Sequence, residues 1–156
     1  MKQLTLIRHA KSSHDLAMVQ DFDRPLSARG LRDAPLLGRH LAKEPGFHPD
    51  VLISSPALRA LTTASIIQRE AGLHALPLEM EPRIYEAPLR DLLAVVQGIA
   101  PGTRHAVLFG HNPGLELLAN FLCGARVING LRTGGVIRLS LDTDTWKAVD
   151  FKTAVL

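Results

Sequence analysis

The amino-acid sequence predicts an α/β fold: a single three-layer domain spanning residues 1–156, with a mostly parallel central sheet and helices on both faces. Short apolar runs of strand length alternate with longer segments of helical periodicity along the whole chain. This alternation is typical of parallel sheets, because parallel strands need a long crossover connection, usually a helix. The length of 156 residues, without a low-complexity tract or a linker-like segment, favours one domain.

The first strand and the first helix are predicted at residues 3–7 and 27–44. The strand reads QLTLI, and the helix follows from leucines at near-helical spacing. Ser27 is placed to cap this helix at its N-terminus. Pro35 falls inside the pattern, so we expect the helix to kink there or to start late.

The second strand and the second helix are predicted at residues 50–54 and 55–72. The strand, DVLIS, is apolar enough to be buried on both faces. The helix has Pro56 in its first turn and Gly72 past its end, the positions that these residues favour. Arg59 would then lie about one turn into the helix.

The second half of the chain continues the alternation and ends in a pair of strands. A weak strand, a helix, a strand and a helix are predicted at residues 74–80, 89–99, 105–110 and 113–124. Alternating residues predict two terminal strands at 134–142 and 145–151. Two polar loops are long enough to shape a site, MVQDFDRPLS at 18–27 and MEPRIYEAPLRD at 80–91.

The charge and composition favour a small anionic substrate over a nucleic acid. The net charge is only +3, the basic residues are scattered, and aromatic residues make up 4% of the chain. Nucleic-acid surfaces combine clustered basic residues with aromatic rings for stacking. We therefore expect no nucleic-acid partner.

The chain carries no pattern expected for a secreted or membrane protein. The single cysteine, Cys123, allows neither an internal disulfide nor a cysteine-based zinc site. No apolar run reaches the roughly 18 residues that span a membrane. Charged residues interrupt the N-terminal segment, which does not resemble a signal peptide. We expect a cytoplasmic protein without membrane association.

Polar residues follow three of the apolar strands at the point where each strand ends. Arg8 and His9 follow the first strand, a Ser-Pro turn follows the second, and His111 follows the strand at 105–110. Ligands bind at the carboxyl ends of the strands in open α/β sheets. If these strands are neighbours, the polar residues converge in one crevice.

The residue types at these strand ends suit phosphate. Arg59, near the start of the second helix, can reach back to the helix N-terminus, where free N–H groups favour an anion. Arg8 adds a second guanidinium, and guanidinium groups match phosphate oxygens in a bidentate way. Two arginines and two histidines predict a pocket for a doubly charged anion.

Structural explanations exist for each of these residues taken singly. The Ser-Pro turn and the HNPG turn are also ordinary helix starts. His9 and His111 lack clustered carboxylate or cysteine neighbours, which disfavours a metal site. We interpret the other histidines as structural or solvated, namely His14, His40, His48, His74 and His105. Arginines 29, 32 and 39 fit a solvated helix face.

Four motifs together resemble the histidine phosphatase superfamily, and within it the SixA-like phosphohistidine phosphatases. They are LIRHAKSS at 6–13, DFDRPLSARG at 21–30, SSPALRALTTA at 54–64 and GHNPGLE at 110–116. Their order and spacing are similar to those of the family, and the short chain resembles its compact SixA-like branch. The resemblance implies a phosphoglycerate mutase-like fold. The chain departs from the arginine-histidine-glycine signature of the superfamily, with Ala10 in place of glycine.

The resemblance also implies a covalent mechanism without a cofactor or metal. His9 would be the nucleophile and would form a phosphohistidine intermediate. Arg8, Arg59 and His111 would hold the phosphoryl oxygens and stabilise the developing charge. His9 should be neutral, with its other ring nitrogen donating to an acceptor such as a backbone carbonyl, and the field of the arginines should disfavour its protonation.

Four further residues are weaker candidates for the same site. Glu86, in the second polar loop, is the best-placed proton donor for the leaving group. Ser27 is expected either to cap the first helix or to add a hydroxyl to the phosphate, and the two roles are compatible. Lys11 and Ser12 are expected to line the mouth of the pocket.

The predicted activity is hydrolysis of phosphohistidine in proteins, or of a related small phosphorylated substrate. A general phosphomonoesterase is the alternative among enzymes. A phosphate- or phosphoprotein-binding module with little catalysis is the alternative from another class. The expected partner is the phosphorylated substrate, and the chain is compatible with a monomer.

Overall fold

A computed structural model of the chain describes residues 1–15 and 17–156. Within them, a six-stranded sheet has the order β3-β2-β4-β1-β5-β6. The strands are β1 (Lys2–Arg8), β2 (Val51–Ser54), β3 (Leu78–Met80), β4 (His105–Gly110), β5 (Val136–Leu141) and β6 (Ala154–Val155). The α-helices are α1 (Ala28–Ala42), α2 (Leu58–Glu70), α3 (Leu89–Gln97) and α4 (Gly114–Cys123). Short 3-10 helices span Asp21–Asp23, Pro82–Ile84 and Trp146–Ala148.

The sheet is mostly parallel, as predicted. Strands β3, β2, β4 and β1 pair in parallel with one another, whereas β5 pairs antiparallel with β1 and β6 pairs antiparallel with β5. Arg8 lies opposite Gly110, and Ser54 lies opposite Phe109. The carboxyl ends of β1, β4 and β2 therefore lie level with one another at one edge of the sheet.

Helices cover both faces of the sheet, so the three-layer prediction is confirmed. Ile7 packs with apolar residues of α1 and α2 on one face. Its neighbour Leu6 packs on the other face with Leu92 of α3 and Leu118 of α4. Successive residues of a strand point to opposite faces, and in β1 both faces are apolar because both are covered.

Helix α1 begins where the sequence predicts and continues through its proline. The Ser27 side chain accepts a hydrogen bond from the Gly30 backbone N–H at 3.1 Å, so the predicted cap is present. The expected late start is wrong, because α1 runs unbroken from Ala28 to Ala42 with Pro35 inside it. Packing of α1 against α2 offsets the one backbone hydrogen bond that proline removes.

Helix α2 begins later than predicted. Its first residue is Leu58, and the extended backbone of Ala57, with ψ of 136°, keeps Pro56 outside the helix. Arg59 is therefore the second residue of α2 and not one turn into it. This position keeps the arginine at the helix N-terminus, level with the ends of the strands.

The last predicted strand is wrong. Residues 145–151 contain the 3-10 helix at Trp146–Ala148, and the final strand is the short β6. Trp146 and Val149 are both buried, and the Trp146 indole N–H donates to the Thr103 carbonyl at 2.8 Å. The apolar residues of this segment are buried at a spacing of three, which suits a tight helix and not a strand.

No helix in the described part of the chain is both long and apolar enough to cross a membrane.

Candidate active site

The residues that follow three neighbouring strands converge at one edge of the sheet. The His9 backbone N–H donates to the Gly110 carbonyl at 3.1 Å, and the Ser55 N–H donates to the Phe109 carbonyl at 3.0 Å. His111 follows Gly110 directly. The ring centroids of His9 and His111 are 5.3 Å apart. The convergence expected from the sequence is therefore found.

The imidazole of His9 is held in one tautomer. Its Nδ1 lies 2.7 Å from the Ala10 carbonyl oxygen, and since a carbonyl can only accept, Nδ1 must carry the proton. The Ala10 backbone N–H in turn donates to the Thr63 hydroxyl at 3.0 Å. The lone pair is left on Nε2, for which no other described residue provides a hydrogen bond. The expected contact with a backbone carbonyl is present.

His9 is neutral at pH 7. The residue is 5% exposed, and burial is the main cause that lowers its pKa from 6.5 to about 4. The hydrogen bond to Ala10 opposes this shift, and the positive charges of Arg59 and Arg8 add to it. The arginine field expected from the sequence acts in the predicted direction, but burial has the larger effect.

Arg8 is held by a loop that the HNPGLE segment fixes in place. One of its terminal nitrogens donates to the Leu131 carbonyl at 2.9 Å. The same carbonyl accepts from the Asn112 side chain at 3.1 Å. The Glu116 carboxylate accepts from the backbone N–H groups of Gly130 and Leu131 at 3.0 and 3.2 Å. Asn112 and Glu116 thus act on Arg8 through the loop.

Arg59 is buried and is held by Asp21. Its terminal nitrogens donate to the Asp21 carbonyl at 2.6 Å and to the Asp21 carboxylate at 3.0 Å. The Tyr85 hydroxyl donates to the same carboxylate oxygen at 2.5 Å. This bond, with smaller help from Arg59, lowers the pKa of Asp21 to about 2. It also raises the pKa of Tyr85 to about 12. The polar loops at 18–27 and 80–91 therefore meet over Arg59.

His111 is oriented by Ser55. The His111 Nε2 lies 2.8 Å from the Ser55 hydroxyl oxygen, which also accepts from the Ala57 backbone N–H at 3.2 Å. Ser55 keeps its proton and a second lone pair, and in the tautomer that presents a donor to the site it donates to Nε2 while the His111 proton lies on Nδ1. Burial, followed by the charge of Arg59, lowers the pKa of His111 to about 3.

Three buried side-chain nitrogens in the described residues lack a hydrogen-bond partner, and all belong to this cluster. They are Arg8 Nε, Arg59 Nε and His111 Nδ1. A buried donor without an acceptor costs about 1–3 kcal/mol, and more when it is charged. An oxyanion is the type of acceptor that the two arginine nitrogens lack, and a protonated His111 Nδ1 would be a third donor. The arrangement is therefore chemically suited to hold a phosphoryl group next to a neutral imidazole.

Cavities of contrasting character flank the histidine pair. The first, the basic cavity, has a volume of about 520 Å³, and the second, the apolar cavity, about 470 Å³. The cationic residues that line the basic cavity are Arg8, Lys11, Arg24, Arg29 and Arg132. The side chains that line the apolar cavity include Arg59, Tyr85, Glu86, Pro88, His111 and Leu117.

The weaker sequence candidates fall at different places around these cavities. Lys11 and Ser12 line the basic cavity, where Ser12 accepts from Arg24 at 2.9 Å. Glu86 is exposed and lines the apolar cavity with a positive φ of 52°. Ser27 lines neither cavity among the described residues, and its hydroxyl donates to the Lys11 carbonyl at 3.1 Å. Its contact with phosphate remains a prediction.

Sequence reasoning missed the residues that position the four main site residues, which are Arg8, His9, Arg59 and His111. Asp21, Tyr85, Ser55 and Glu116 all lie in segments that we singled out, but contacts between distant loops leave no local signal. Arg29 is exposed on α1, as predicted, and it also lines the basic cavity. Within residues 1–15 and 17–156, no group of three His, Cys, Asp or Glu residues could hold a metal.

The family is shown by a match across more than half of the chain. The model of the histidine phosphatase superfamily, branch 1, matches residues 4–97, the part that carries the first three motifs. The chain belongs to the histidine phosphatase superfamily. The fourth motif, around His111, lies outside the matched segment but beside His9 in space.

Known proteins resemble this chain along most of its length. A chloroplastic protein of Arabidopsis thaliana, described as uncharacterised, is 29% identical over 94% of this chain and 69% of its own. The crystal structure of a candidate phosphohistidine phosphatase SixA from Agrobacterium tumefaciens is 25% identical, with a TM-score of 0.82 over 90% of this chain and 92% of that one.

A SixA protein histidine phosphatase solved with tungstate has the same fold, with a TM-score of 0.83 and 21% identity over 98% of this chain and 92% of that one. The protein is thus a SixA-like member of the superfamily. Its family and its fold support phosphatase activity on a phosphorylated substrate.

Proposed function

We propose that residues 1–156 form one histidine phosphatase domain, which hydrolyses phosphohistidine in proteins or a related small phosphorylated substrate through a phosphohistidine intermediate on His9. One observation carries the proposal. A buried neutral imidazole, with its proton held on Nδ1 by Ala10, is grouped with three buried side-chain nitrogens that lack hydrogen-bond partners. Simple phosphate binding needs such donors but has no need of a nucleophile with a free lone pair.

Arg8, Arg59 and His111 bind the phosphoryl oxygens. Their unpartnered N–H groups supply donors before the substrate arrives, so little reorganisation is needed in the transition state. Asp21 and Ser55 hold Arg59 and His111 in place, and the loop at Leu131 holds Arg8. Charge stabilisation in a buried site is stronger than in water, because the local dielectric is lower.

In the first step, the Nε2 lone pair of His9 attacks phosphorus in line with the leaving group. The Nε2–P bond forms as the bond from phosphorus to the leaving atom breaks, and the leaving atom keeps that electron pair. The Nδ1 proton stays on His9 and is shared with the Ala10 carbonyl, which stabilises the charge that the ring acquires.

In the second step, water attacks the phosphorus of the intermediate. A P–O bond forms, the P–Nε2 bond breaks, and the electron pair returns to Nε2, which restores neutral His9. Both protons of the water stay on the product, which leaves as dihydrogen phosphate. Each step uses residues of this chain alone, so we propose that the enzyme needs no metal or cofactor.

Glu86 is the proposed proton donor to the leaving atom. It lines the same cavity as Arg59 and His111. Asp21 is the other carboxyl group nearby, but its pKa of about 2 keeps it ionised at neutral pH. An imidazole that carries its own proton leaves with little help, whereas an alkoxide needs a strong acid. An exposed acid such as Glu86 therefore favours phosphohistidine over alkyl phosphates.

A substrate panel on the purified protein tests the proposal. The panel comprises a phosphohistidine peptide, phosphoserine, phosphotyrosine and a sugar phosphate, each assayed with and without EDTA. We expect the highest kcat/KM for phosphohistidine and no loss of activity with EDTA. Equal rates across the panel would favour a general phosphomonoesterase, and phosphate binding without any turnover would favour a binding module.

A further inference from the structure

We propose that the basic cavity is a second anion site, which binds another anionic group of the same substrate beside the phosphoryl group. This inference rests on the proposed function and adds the chemical class of the substrate, a phosphoryl compound with a second phosphate or carboxylate. The cavity opens directly beside His9 and Arg8. A substrate held by His9 would therefore extend over its remaining cationic side chains.

The basic cavity carries more positive charge than nearby carboxylates neutralise. None of the described residues that line it is acidic. Arg24 pairs with Asp21 at 3.1 Å, and Arg29 approaches Asp33 at 3.5 Å with both side chains more than half exposed. Lys11 and Arg132 form no ion pair with a carboxylate of the described residues.

A phosphoryl group by itself does not account for this charge. Arg8 and Arg59 are the cations proposed for the phosphoryl group, and Asp21 already shares the charge of Arg59. The charges of Lys11, Arg29 and Arg132 are additional. Like charges gathered in one concave surface repel one another, and a bound anion removes that repulsion.

The loop that carries Arg132 is fixed against the proposed nucleophile. The Gly134 backbone N–H donates to the His9 carbonyl at 2.9 Å, and the Gly135 N–H donates to the Arg132 carbonyl at 2.9 Å. A Cβ on Gly135 would lie 2.5 Å from Leu131 and 2.7 Å from the Arg132 carbonyl oxygen. Only glycine fits this turn, which keeps Arg132 close to His9.

Lys11 and Arg29 are brought to the cavity by an equally close approach. The Ser27 backbone N–H donates to the Lys11 carbonyl at 2.8 Å. A Cβ on Gly30 would lie 2.1 Å from that same oxygen. The first turn of α1 therefore sits directly on the chain that follows His9, and Arg29 faces the cavity from this turn.

The size of the cavity suits a substrate group and not only an ion. Its volume of about 520 Å³ lies within the roughly 300–1,000 Å³ of small-molecule sites. A small bisphosphate and an acidic residue beside a phosphohistidine present the same chemistry here. The two sources can be separated by experiment.

The first experiment measures binding without turnover. Methylphosphonate and bisphosphonates with one to four methylene groups between the phosphorus atoms are titrated into the protein by calorimetry. We expect at least one bisphosphonate to bind about tenfold more tightly than methylphosphonate, because it gains charge-assisted hydrogen bonds. The preference should shrink at high salt, since the cavity is open to solvent.

Substitutions assign this preference to the cavity. Arg132→Gln should reduce it to less than about threefold and weaken methylphosphonate binding much less. Arg29→Gln should act in the same direction with a smaller effect, because Asp33 already shares its charge. Arg104→Gln is the matched control, since Arg104 precedes β4 at the opposite end of the sheet and is exposed. An Arg132→Gln protein that keeps the full preference overturns the inference, as does an equal loss for both ligands.

The second experiment identifies the source of the second anion. Hydrolysis rates are compared for two phosphohistidine peptides, one with aspartates flanking the phosphohistidine and one with asparagines. Faster hydrolysis of the aspartate peptide points to an acidic protein segment, and a bisphosphonate preference without it points to a small substrate. If neither preference is found, there is no second anion site. Bisphosphonate binding without any turnover would instead contradict only the proposed phosphatase.

Discussion

The two cavities beside the histidine pair differ in charge although they share one centre. The basic cavity is lined by cationic side chains, and none of its described lining residues is acidic. The apolar cavity holds Pro88 and Leu117 together with Tyr85 and a single carboxylate, Glu86. A substrate that bridges them would place its anionic part on one side and its leaving group or apolar part on the other. In the proposed mechanism, the basic cavity binds negative charge of the substrate and the apolar cavity controls departure of the leaving group.

The different origins of the two walls explain this contrast. The basic wall comes from the end of β1, the start of α1 and the glycine-bounded loop at 131–135, where close backbone contacts fix the arginines. The apolar wall comes from the loop at 82–88 and the start of α4. Asp21 belongs to neither wall, but it links them by contacting both Arg24 and Arg59.

The largest expected effect lies at the shared centre. His9→Ala should lower kcat by about 10⁴-fold or more, because a covalent mechanism loses its nucleophile. Acid-labile labelling of the protein by a ³²P-labelled substrate should vanish. His74→Ala, at an exposed histidine, should keep both turnover and labelling. Labelling that survives in His9→Ala would exclude His9 as the nucleophile.

The next largest effect tests whether the apolar cavity controls departure of the leaving group. Glu86→Gln should lower kcat for alkyl phosphates by about 10²-fold, the usual contribution of a general acid. The rate for phosphohistidine should change by less than about threefold, because imidazole leaves readily once protonated. Glu79→Gln removes a similar exposed carboxylate on β3 and serves as the control. Equal losses for both substrate types would reject Glu86 as the acid.

A smaller effect tests the residue that links the two sides. Asp21→Asn should lower kcat/KM about tenfold, because Arg59 loses its charged partner and its fixed orientation. As a positioning effect, the loss should be partly rescued by Asp21→Glu. Asp23→Asn, in the same 3-10 helix, changes the charge equally and should leave kcat/KM close to wild type. Similar losses for both asparagine variants would attribute the effect to net charge.

The smallest effect concerns protonation at the centre. The pKa values of about 4 for His9 and about 3 for His111 are below the ordinary 6.5, so both rings should stay neutral as the pH falls to about 5. Nitrogen-detected NMR of the imidazoles measures this directly. Titration of His9 near pH 6.5 would contradict the buried, neutral nucleophile.

The same pKa values predict how stability depends on pH. In the unfolded chain these histidines take up protons below pH 6.5, while the folded protein does not until about pH 4. The free energy of unfolding should therefore fall as the pH drops from 6.5 to 4. His105, with a pKa also lowered by burial to about 4, adds to the same slope. The lowered pKa of Asp21 affects the free energy of unfolding only below the ordinary carboxyl pKa of 3.8, which lies outside this pH range.

Much of the fold was predictable because local patterns encode it. Helix α1 starts one residue after its predicted cap, and the buried β2 and β4 follow their apolar runs closely. The wrong prediction of a strand at 145–151 arises because burial of individual side chains, and not the alternating pattern, decides the conformation there. Trp146 lies in a 3-10 helix because its indole found a buried carbonyl, and that partner lies 43 positions away in the chain.

The sequence by itself determined the fold class, the family and the chemistry of the residues at the strand ends. Apolar periodicity, caps and motif spacing are local properties, and they are enough to mark Arg8, His9, Arg59 and His111 as site residues. Only the tertiary structure decided how these residues are held. Asp21 on Arg59, Ser55 on His111 and the depth of burial of His9 all depend on contacts between segments far apart in the chain. Such contacts form only when the packed sheet brings those segments together, and no local pattern records them.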